Sequence, residues 1–312
     1  MATILEFEKS VLSLEKQIEE LQKSAPIGNT SVSTDVAKLR EKIDKMLKRI
    51  YSKLSPWDTV QVARLPERPK FTDYLNGIFT DFVELCGDRI CGEDSAIVCG
   101  FSKIDGIKCL VVGQEKGFDT ESRIKHNFGM PRPEGYRKVV RLLDLADRFN
   151  LPVIAFIDTS GAYPGLESEE RGQAEAIARC IEKSLKINVP IISTIIGEGG
   201  SGGAIALATS DFVLMLEHSI YSVISPEGCA SILWKDDKKA SVATETLHLT
   251  APDLKNFGII DTIIKEPAGG AHRDKDKTIE NVKKTILQTL DKIKNLKNLK
   301  KRRRDRFLGC TI

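Results

Sequence analysis

Residues 197–203 read Gly-Glu-Gly-Gly-Ser-Gly-Gly. They lie between the apolar, β-branched run Ile191 to Ile196 and the small stretch Ala204-Ile205-Ala206-Leu207-Ala208. This order predicts a buried strand, a glycine turn and a helix N-terminus. Five glycines in seven residues are costly to order, because glycine loses the most backbone freedom on folding. A compensating gain exists where backbone N–H groups must approach something negative with no side chain between. A helix start offers unpaired N–H donors and the positive end of its dipole.

Around the turn the pattern is that of a layered core. Ala96 to Ile104 and Ile107 to Gln114 read as strands joined by Asp105-Gly106, a tight hairpin signal. A helix over 134–149, a strand over 153–158 and a helix over 168–185 lead to the strand over 191–196. Past the turn follow a short helix, a strand over 212–216, one near 222–224, a helix from Glu227 and a late strand over 259–264. A hairpin followed by repeated helix–strand units predicts an α/β protein with a mostly parallel sheet.

Three regions are expected. In residues 1–55, Phe7, Val11, Leu14, Ile18 and Leu21, then Leu39, Ile43, Met46 and Ile50, keep spacings of three and four, and residues 24–30 break the pattern. This predicts a helical hairpin whose seams close on each other or on another subunit. Residues 56–272 form the core. Residues 273–312 are expected to be a charged helix, striped by Ile279, Val282, Ile286, Leu290 and Ile293, with a basic tail.

Charge is uneven. Of 47 Lys/Arg and 44 Asp/Glu, nine bases and one acid (Asp305) lie in 292–306, leaving 38 against 43 elsewhere. Without interleaved aromatics, a solvated helix end is expected rather than a nucleic-acid arm. No apolar run approaches the roughly 20 residues that span a bilayer. Glu6 and Glu8 do not fit a basic-then-apolar leader, so a cytoplasmic protein is expected. Seven scattered cysteines lack metal-site spacing, which points to buried free thiols and no metal.

The turn admits three chemistries. Gly197-x-Gly199-x-x-Gly202 matches a dinucleotide fingerprint, with Glu217 placed 20 residues on for a ribose, but the next helix has room for only about two turns. Gly199-x-Ser201-x-Gly203 matches a nucleophile elbow, yet His218, His248 and His272 sit in no recognisable triad context. The third is an oxyanion hole built from the amides of Gly202, Gly203 and Ala204. A second strand-end loop, Ile157-Asp158-Thr159-Ser160-Gly161-Ala162-Tyr163-Pro164-Gly165, again pairs a buried strand with small residues and can supply a second donor.

Longer blocks carry a resemblance. These are Asn127 to Pro131 with Pro133 to Arg137, the loop at 157–165, Glu169 to Gly172, Gly197 to Ala204, the fourteen residues Tyr221 to Trp234, and Gly269 to Arg273. In order over most of the chain, they resemble the α subunits of bacterial acetyl-CoA carboxylase carboxyltransferases. Ser160 stands where that family usually has proline.

The resemblance implies a crotonase (ClpP/crotonase-like) fold, a spiral of ββα units behind an N-terminal helical hairpin and before a C-terminal helix. It implies transfer of a carboxyl group from N1-carboxybiotin to acetyl-CoA, giving malonyl-CoA for fatty acid biosynthesis. The biotin rides on a separate carrier protein, and ATP is consumed by a separate biotin carboxylase, so no covalently bound cofactor is expected here. Activity would need a zinc-ribbon β subunit in an α2β2 assembly. On that reading Gly202, Gly203 and Ala204 with Gly161 and Ala162 form the biotin-carbonyl hole, Gly199, Gly200, Glu227 and Gly228 shape its wall, and Arg171 is a candidate carboxylate ligand. A self-sufficient enoyl-CoA hydratase or isomerase on the same fold would instead need paired carboxylates, for which Glu198 and Glu217 are the candidates. A non-catalytic binding module is the remaining class.

Overall fold

The computed structural model describes residues 5–24 and 30–309; the expected break between the first two helices falls largely outside them. Helices α1 (Lys9–Ser24) and α2 (Thr30–Tyr51) form the hairpin, and α3 (Pro56–Ala63) and α4 (Phe71–Ile78) lead into the sheet. Strands β1 (Thr80–Glu84), β2 (Ile97–Ile104) and β3 (Ile107–Gln114) run antiparallel. The β2–β3 turn has Asp105 at φ 45° and Gly106 at φ 78°, the left-handed pair that a two-residue hairpin requires. Then come α5 (Thr120–Lys125), α6 (Pro133–Arg148), β4 (Val153–Thr159), α7 (Leu166–Glu170), α8 (Gln173–Lys186), β5 (Ile191–Gly200) and α9 (Ser201–Ala208). The rest comprises β6 (Phe212–Leu216), β7 (Ile220–Ser222), α10 (Pro226–Trp234), α11 (Ala240–Leu247), α12 (Ala251–Asn256), β8 (Thr262–Ile264), α13 (Lys275–Lys294) and α14 (Leu299–Leu308).

The sheet order is β1-β2-β3-β4-β5-β6-β8, and every pair from β3 onward is parallel. Both faces are covered. Val153, Ala155 and Ile157 of β4 with Ile191 and Ile195 of β5 point toward one core, which includes Val139 and Leu142 of α6 and Cys180 of α8. Ile154, Phe156, Ile192 and Ile196 point to the other, against Phe71 and Tyr74 of α4 and Val282, Ile286 and Leu290 of α13. Strict alternation between two apolar layers explains why these strands read as continuous apolar runs. Helix α13 therefore completes the second face of the sheet.

Strand β5 forks. Its first half pairs with β6, and its last residues, Glu198 to Gly200, pair with β7. The strand thus runs four residues beyond the expected end, because its glycines let neighbours lie on the backbone. A side chain at Gly197 would start 2.5 Å from the Asp158 carboxylate, and one at Gly199 would start 2.8 Å from the Tyr221 ring. Elsewhere, Gly172 at φ 80° splits the expected helix over 168–185 into α7 and α8. The late strand begins only at Thr262, since the Ile259 and Ile260 amides turn back to the Leu254 carbonyl.

The hairpin closes on itself, with Val11, Leu14 and Ile18 against Val36, Ile43 and Leu47. It joins the core through Tyr51, edge-on to His218 at 5.2 Å, and through Arg273, which reaches Glu15 (2.6 Å) and Glu8 (2.8 Å). Beneath this junction Arg68 and Glu266, both fully buried, pair at 2.8 Å. Burial alone would raise the Glu266 carboxyl, but the Arg68 guanidinium overrides it and holds the pKa down to about 2. Burial, reinforced by Arg68, lowers the His272 imidazole to about 4. Burial also lowers His218.

Most of the basic tail is solvated as expected, but two of its arginines dock on the core. Arg303 is buried: its guanidinium pairs with Asp211 at 2.7 Å and donates to the carbonyls of Ser184, Ile187 and Val189, the last turn of α8 and the chain leading to β5. Arg306 holds Asp261 at 2.6 Å and the Ile259 carbonyl at 2.7 Å. Of the six described cysteines, all free, Cys99, Cys109 and Cys180 are buried and their thiols pushed up to about 12, while Cys86 and Cys91 are exposed, against expectation.

Two outcomes follow from these contacts. Arg303→Met leaves three carbonyls without this donor and the Asp211 carboxylate with only the Ile191 amide, and breaking a buried pair of this kind costs about 3–5 kcal/mol; thermal or urea unfolding of the variant reads the loss directly. The second concerns acid. A histidine whose folded pKa lies below its unfolded value of 6.5 stabilises fully above that pH and loses its contribution as pH falls toward 4. Urea midpoints should therefore decline between these pH values, and His272→Asn should flatten the decline.

Candidate active site

The two strand-end loops singled out in the sequence meet at the carboxyl ends of β4 and β5, where Thr159 pairs with Gly199. Their contact is backbone on backbone. A side chain at Gly200 would start 2.1 Å from the Ser160 carbonyl oxygen, and one at Gly203 would start 2.7 Å from both the Ala162 nitrogen and the Gly161 carbonyl carbon. No other residue type fits at these two positions. Gly202, by contrast, meets only Ile177 at 3.6 Å, an ordinary contact. Gly161 faces open space at φ 151°, which side-chain-bearing residues rarely adopt.

Gln114, fully buried at the end of β3, ties the two loops together. Its amide nitrogen donates to the Gly203 carbonyl (2.9 Å), and its oxygen accepts from the Asp158 amide (3.1 Å).

The N–H groups sort into free and engaged. No side chain caps α9, whereas Ser55, Ser225 and Asp274 cap α3, α10 and α13. Gly202 and Gly203 occupy the first turn of α9, ahead of the i→i−4 ladder, with no side-chain cap and no backbone partner among the described turns and loops, and the Ala162 amide has no partner among the described residues. Two expected donors are otherwise occupied. The Gly161 amide donates to Thr159 Oγ1 at 3.0 Å, and that hydroxyl donates back to the Gly161 carbonyl at 2.8 Å. Ala204, fourth in the helix, returns its N–H to the Gly200 carbonyl as the ladder begins, and is fully buried. The candidate donors are thus Gly202, Gly203 and Ala162, with Gly161 and Ala204 beside them.

A chain of charges runs beneath the loops. Lys116 joins Asp158 (2.7 Å) to Glu198 (3.2 Å), and Arg64 of α3 joins Glu198 (2.7 Å) to Glu227 (2.6 Å). The Glu198 amide donates to Asp158 Oδ1 at 2.9 Å. Burial would raise the Glu198 carboxyl, but Lys116 and Arg64 hold it below its usual range. Glu227 is therefore a link in the wall, and the Gly228 amide is committed to the Ser225 cap at 3.1 Å. With Gly199 and Gly200, the Ser225 turn and Arg64 line the narrow crevice beside the turn. Arg171 ties back to Glu134 at 2.8 Å, which gives it a role in joining α7 to α6.

The competing chemistries find little here. Ser201 is exposed on a left-handed turn (φ 52°), the shape of a nucleophile elbow, but no histidine hydrogen-bonds it among the described residues. Glu217 is held by Lys265 at 2.5 Å and receives the Glu266 amide. Glu198 and Glu217 thus both carry cations, and neither stands as an unpaired acid–base group. The sequence did not single out Arg64, Lys116 or Gln114, because no local motif surrounds them; what they share is only their arrival at the same strand ends.

Fold and site together define an α/β protein of the crotonase type with backbone amides converging at two strand ends. Solved structures share the architecture. Over 68% of this chain and 41% of the other, the 12S transcarboxylase hexamer core superposes with a TM-score of 0.55 at 19% identity. A Pseudomonas malonate decarboxylase hetero-tetramer solved with coenzyme A gives 0.56 at 13% identity, over 68% of this chain and 86% of that one. At such identities the likeness is one of fold.

Sequence relatives are much nearer. The acetyl-coenzyme A carboxylase carboxyl transferase subunit alpha of Rhodospirillum centenum is 55% identical over 306 residues, 97% of this chain and 96% of that protein. The protein of the same name from Zymomonas mobilis is 53% identical over 310 residues, 99% of each. Residues 4–311 match the family model described as acetyl co-enzyme A carboxylase carboxyltransferase-like, and the chain belongs to that family.

The geometry separates two adjacent glycines. Gly202→Ala should fold with stability close to wild type, whereas Gly203→Ala must displace the Gly161–Ala162 peptide, an overpacking cost of about 1–3 kcal/mol. Parallel urea melts of the two variants test this.

Proposed function

We propose that this chain is the alpha subunit of the carboxyltransferase of acetyl-CoA carboxylase, moving a carboxyl group from carboxybiotin to acetyl-CoA to yield malonyl-CoA. Family membership supports the reaction. The observation that supports the placement of the site is the uncapped first turn of α9, with Gly202 and Gly203, lying against the Gly161–Ala162 peptide at the meeting point of two strand ends.

Carboxybiotin, presented on its separate carrier, supplies the carboxyl group and is left with negative charge on its ureido oxygen. The chain's own part is to receive that charge. Two N–H groups at the start of α9 add the positive end of the helix dipole, and Ala162 adds a donor from the second loop. These donors are preorganised, since Gln114 and the Asp158–Lys116–Glu198–Arg64–Glu227 chain fix the strand ends from which they project. The nearby carboxylates are all paired with cations, which suits a reaction whose proton is taken by the substrate itself.

The acetyl-CoA side and the zinc ribbon belong to a β subunit in an α2β2 assembly, with biotin carboxyl carrier protein and an ATP-using biotin carboxylase as further cytoplasmic partners. Helix α10, whose first turn holds Glu227, ends in an exposed apolar strip of Ile232, Leu233 and Trp234, a surface that suits coverage by a subunit. No described helix is long and apolar enough to cross a membrane.

The chain alone and mixed with a β subunit should be assayed for malonyl-CoA decarboxylation with biocytin. Biocytin-dependent turnover is expected only in the mixture. Hydration of an enoyl-CoA by the lone chain would overturn this reading.

A further inference from the structure

Tyr136, in the first turn of α6, is fully buried, and its hydroxyl has no hydrogen-bond partner among the described residues. Buried polar atoms are nearly always paired, so an idle one needs a reason. Its position supplies one. The hydroxyl stands 3.1 Å from the point where a Gly203 side chain would begin, and at that same point the Gly161 carbonyl carbon and the Ala162 nitrogen are each 2.7 Å away. The tyrosine hydroxyl and the Gly161–Ala162 peptide thus border the same small space beside Gly203 in the first turn of α9.

That peptide has two ends. Its N–H, on Ala162, is one of the three free donors. Its carbonyl, on Gly161, already accepts from Thr159 Oγ1 at 2.8 Å. A carbonyl oxygen has two lone pairs, so a second acceptor site remains. Hydrogen bonds in series polarise one another: an N–H that donates to an anion makes the carbonyl of the same peptide a stronger acceptor.

We infer that Tyr136 is a positioning residue for carboxyl transfer. When an anionic oxygen draws on the Ala162 N–H, the Tyr136 hydroxyl donates to the Gly161 carbonyl, holding the peptide plane and strengthening its N–H as a donor. The hydroxyl makes no hydrogen bond in the unloaded chain, so this bond forms by a small shift of the tyrosine toward the carbonyl when the anion binds. No bond to the reacting atoms is involved; the tyrosine acts through the peptide alone. This inference rests on the functional reading above.

The test is Tyr136→Phe, which removes one oxygen and keeps the ring. The variant and wild type are each paired with the β subunit, and malonyl-CoA decarboxylation with biocytin is measured alongside thermal unfolding. Removing an unpaired buried hydroxyl should leave the melting temperature unchanged or raise it. Loss of a direct oxyanion donor lowers rates by about 10²–10³, and a donor acting through one peptide should cost less, about tenfold in kcat, with KM for malonyl-CoA unaltered. A wild-type kcat in the variant overturns the inference, as does a lowered melting temperature with activity falling only in step with the folded fraction. If the wild-type pair itself shows no biocytin-dependent turnover, the functional reading fails and takes this inference with it; an active wild-type pair with an unaffected variant sinks the inference alone.

Discussion

Backbone touches backbone where the turn at 197–203 meets the loop at 158–162, and the site depends on that contact. Gly200 lies on the Ser160 carbonyl and Gly203 on the Gly161–Ala162 peptide, both closer than any side chain permits. Only at this separation do the two strand ends lie backbone against backbone. The entropy lost in ordering so many glycines is a cost of that approach. Gly197 and Gly199 serve the same end a few residues earlier, admitting the Asp158 carboxylate and the Tyr221 ring.

A contact made of main chain has no side chains of its own to hold it in register, so the surroundings must. Gln114 reaches across from β3 to both loops with one amide group. Below, five alternating charges from Asp158 to Glu227 link β4, β5, α3 and α10. Each charge except the two at the ends has a partner on both sides. Asp158 and Glu198 are buried and Lys116 between them largely so; such ions add little net stability over apolar residues, but removing one strands its neighbours. The network is therefore better understood as fixing geometry than as supplying stability, which fits a site whose working parts are amides that cannot be moved by rotamer changes.

The strands and helices that carry the site were legible because their signals are local. Val153 to Asp158, Phe212 to Leu216 and the Asp105-Gly106 hairpin follow from residue type and spacing alone, and they lie where the sequence put them to within a residue. The glycine turn and the second loop were legible as candidates for the same reason. What the sequence could not reveal depends on contacts between distant segments. Whether the Gly161 N–H is free depends on the Thr159 hydroxyl's rotamer, and whether Ala204 donates depends on where the helical ladder begins. Arg303 looked like one base in a solvated run, because nothing within ten residues of it in sequence announces Asp211. Arg64 and Lys116 were invisible for the same reason.

The engaged donors also bear on how the site is divided. If every expected amide were free, five N–H groups would crowd a single oxygen, which accepts two or three at most. The Thr159–Gly161 bond and the start of the α9 ladder remove two of them, leaving Gly202 and Gly203 from one strand end and Ala162 from the other. On the proposed reading, an anionic oxygen would draw on donors from two loops, and not on a helix terminus alone. On that reading the helix dipole supplies the field and the second loop adds a donor. That division accounts for two strand-end loops of small residues in one sheet, and for a fold that forks β5 so that its last residues can leave β6 and meet β7 beside them.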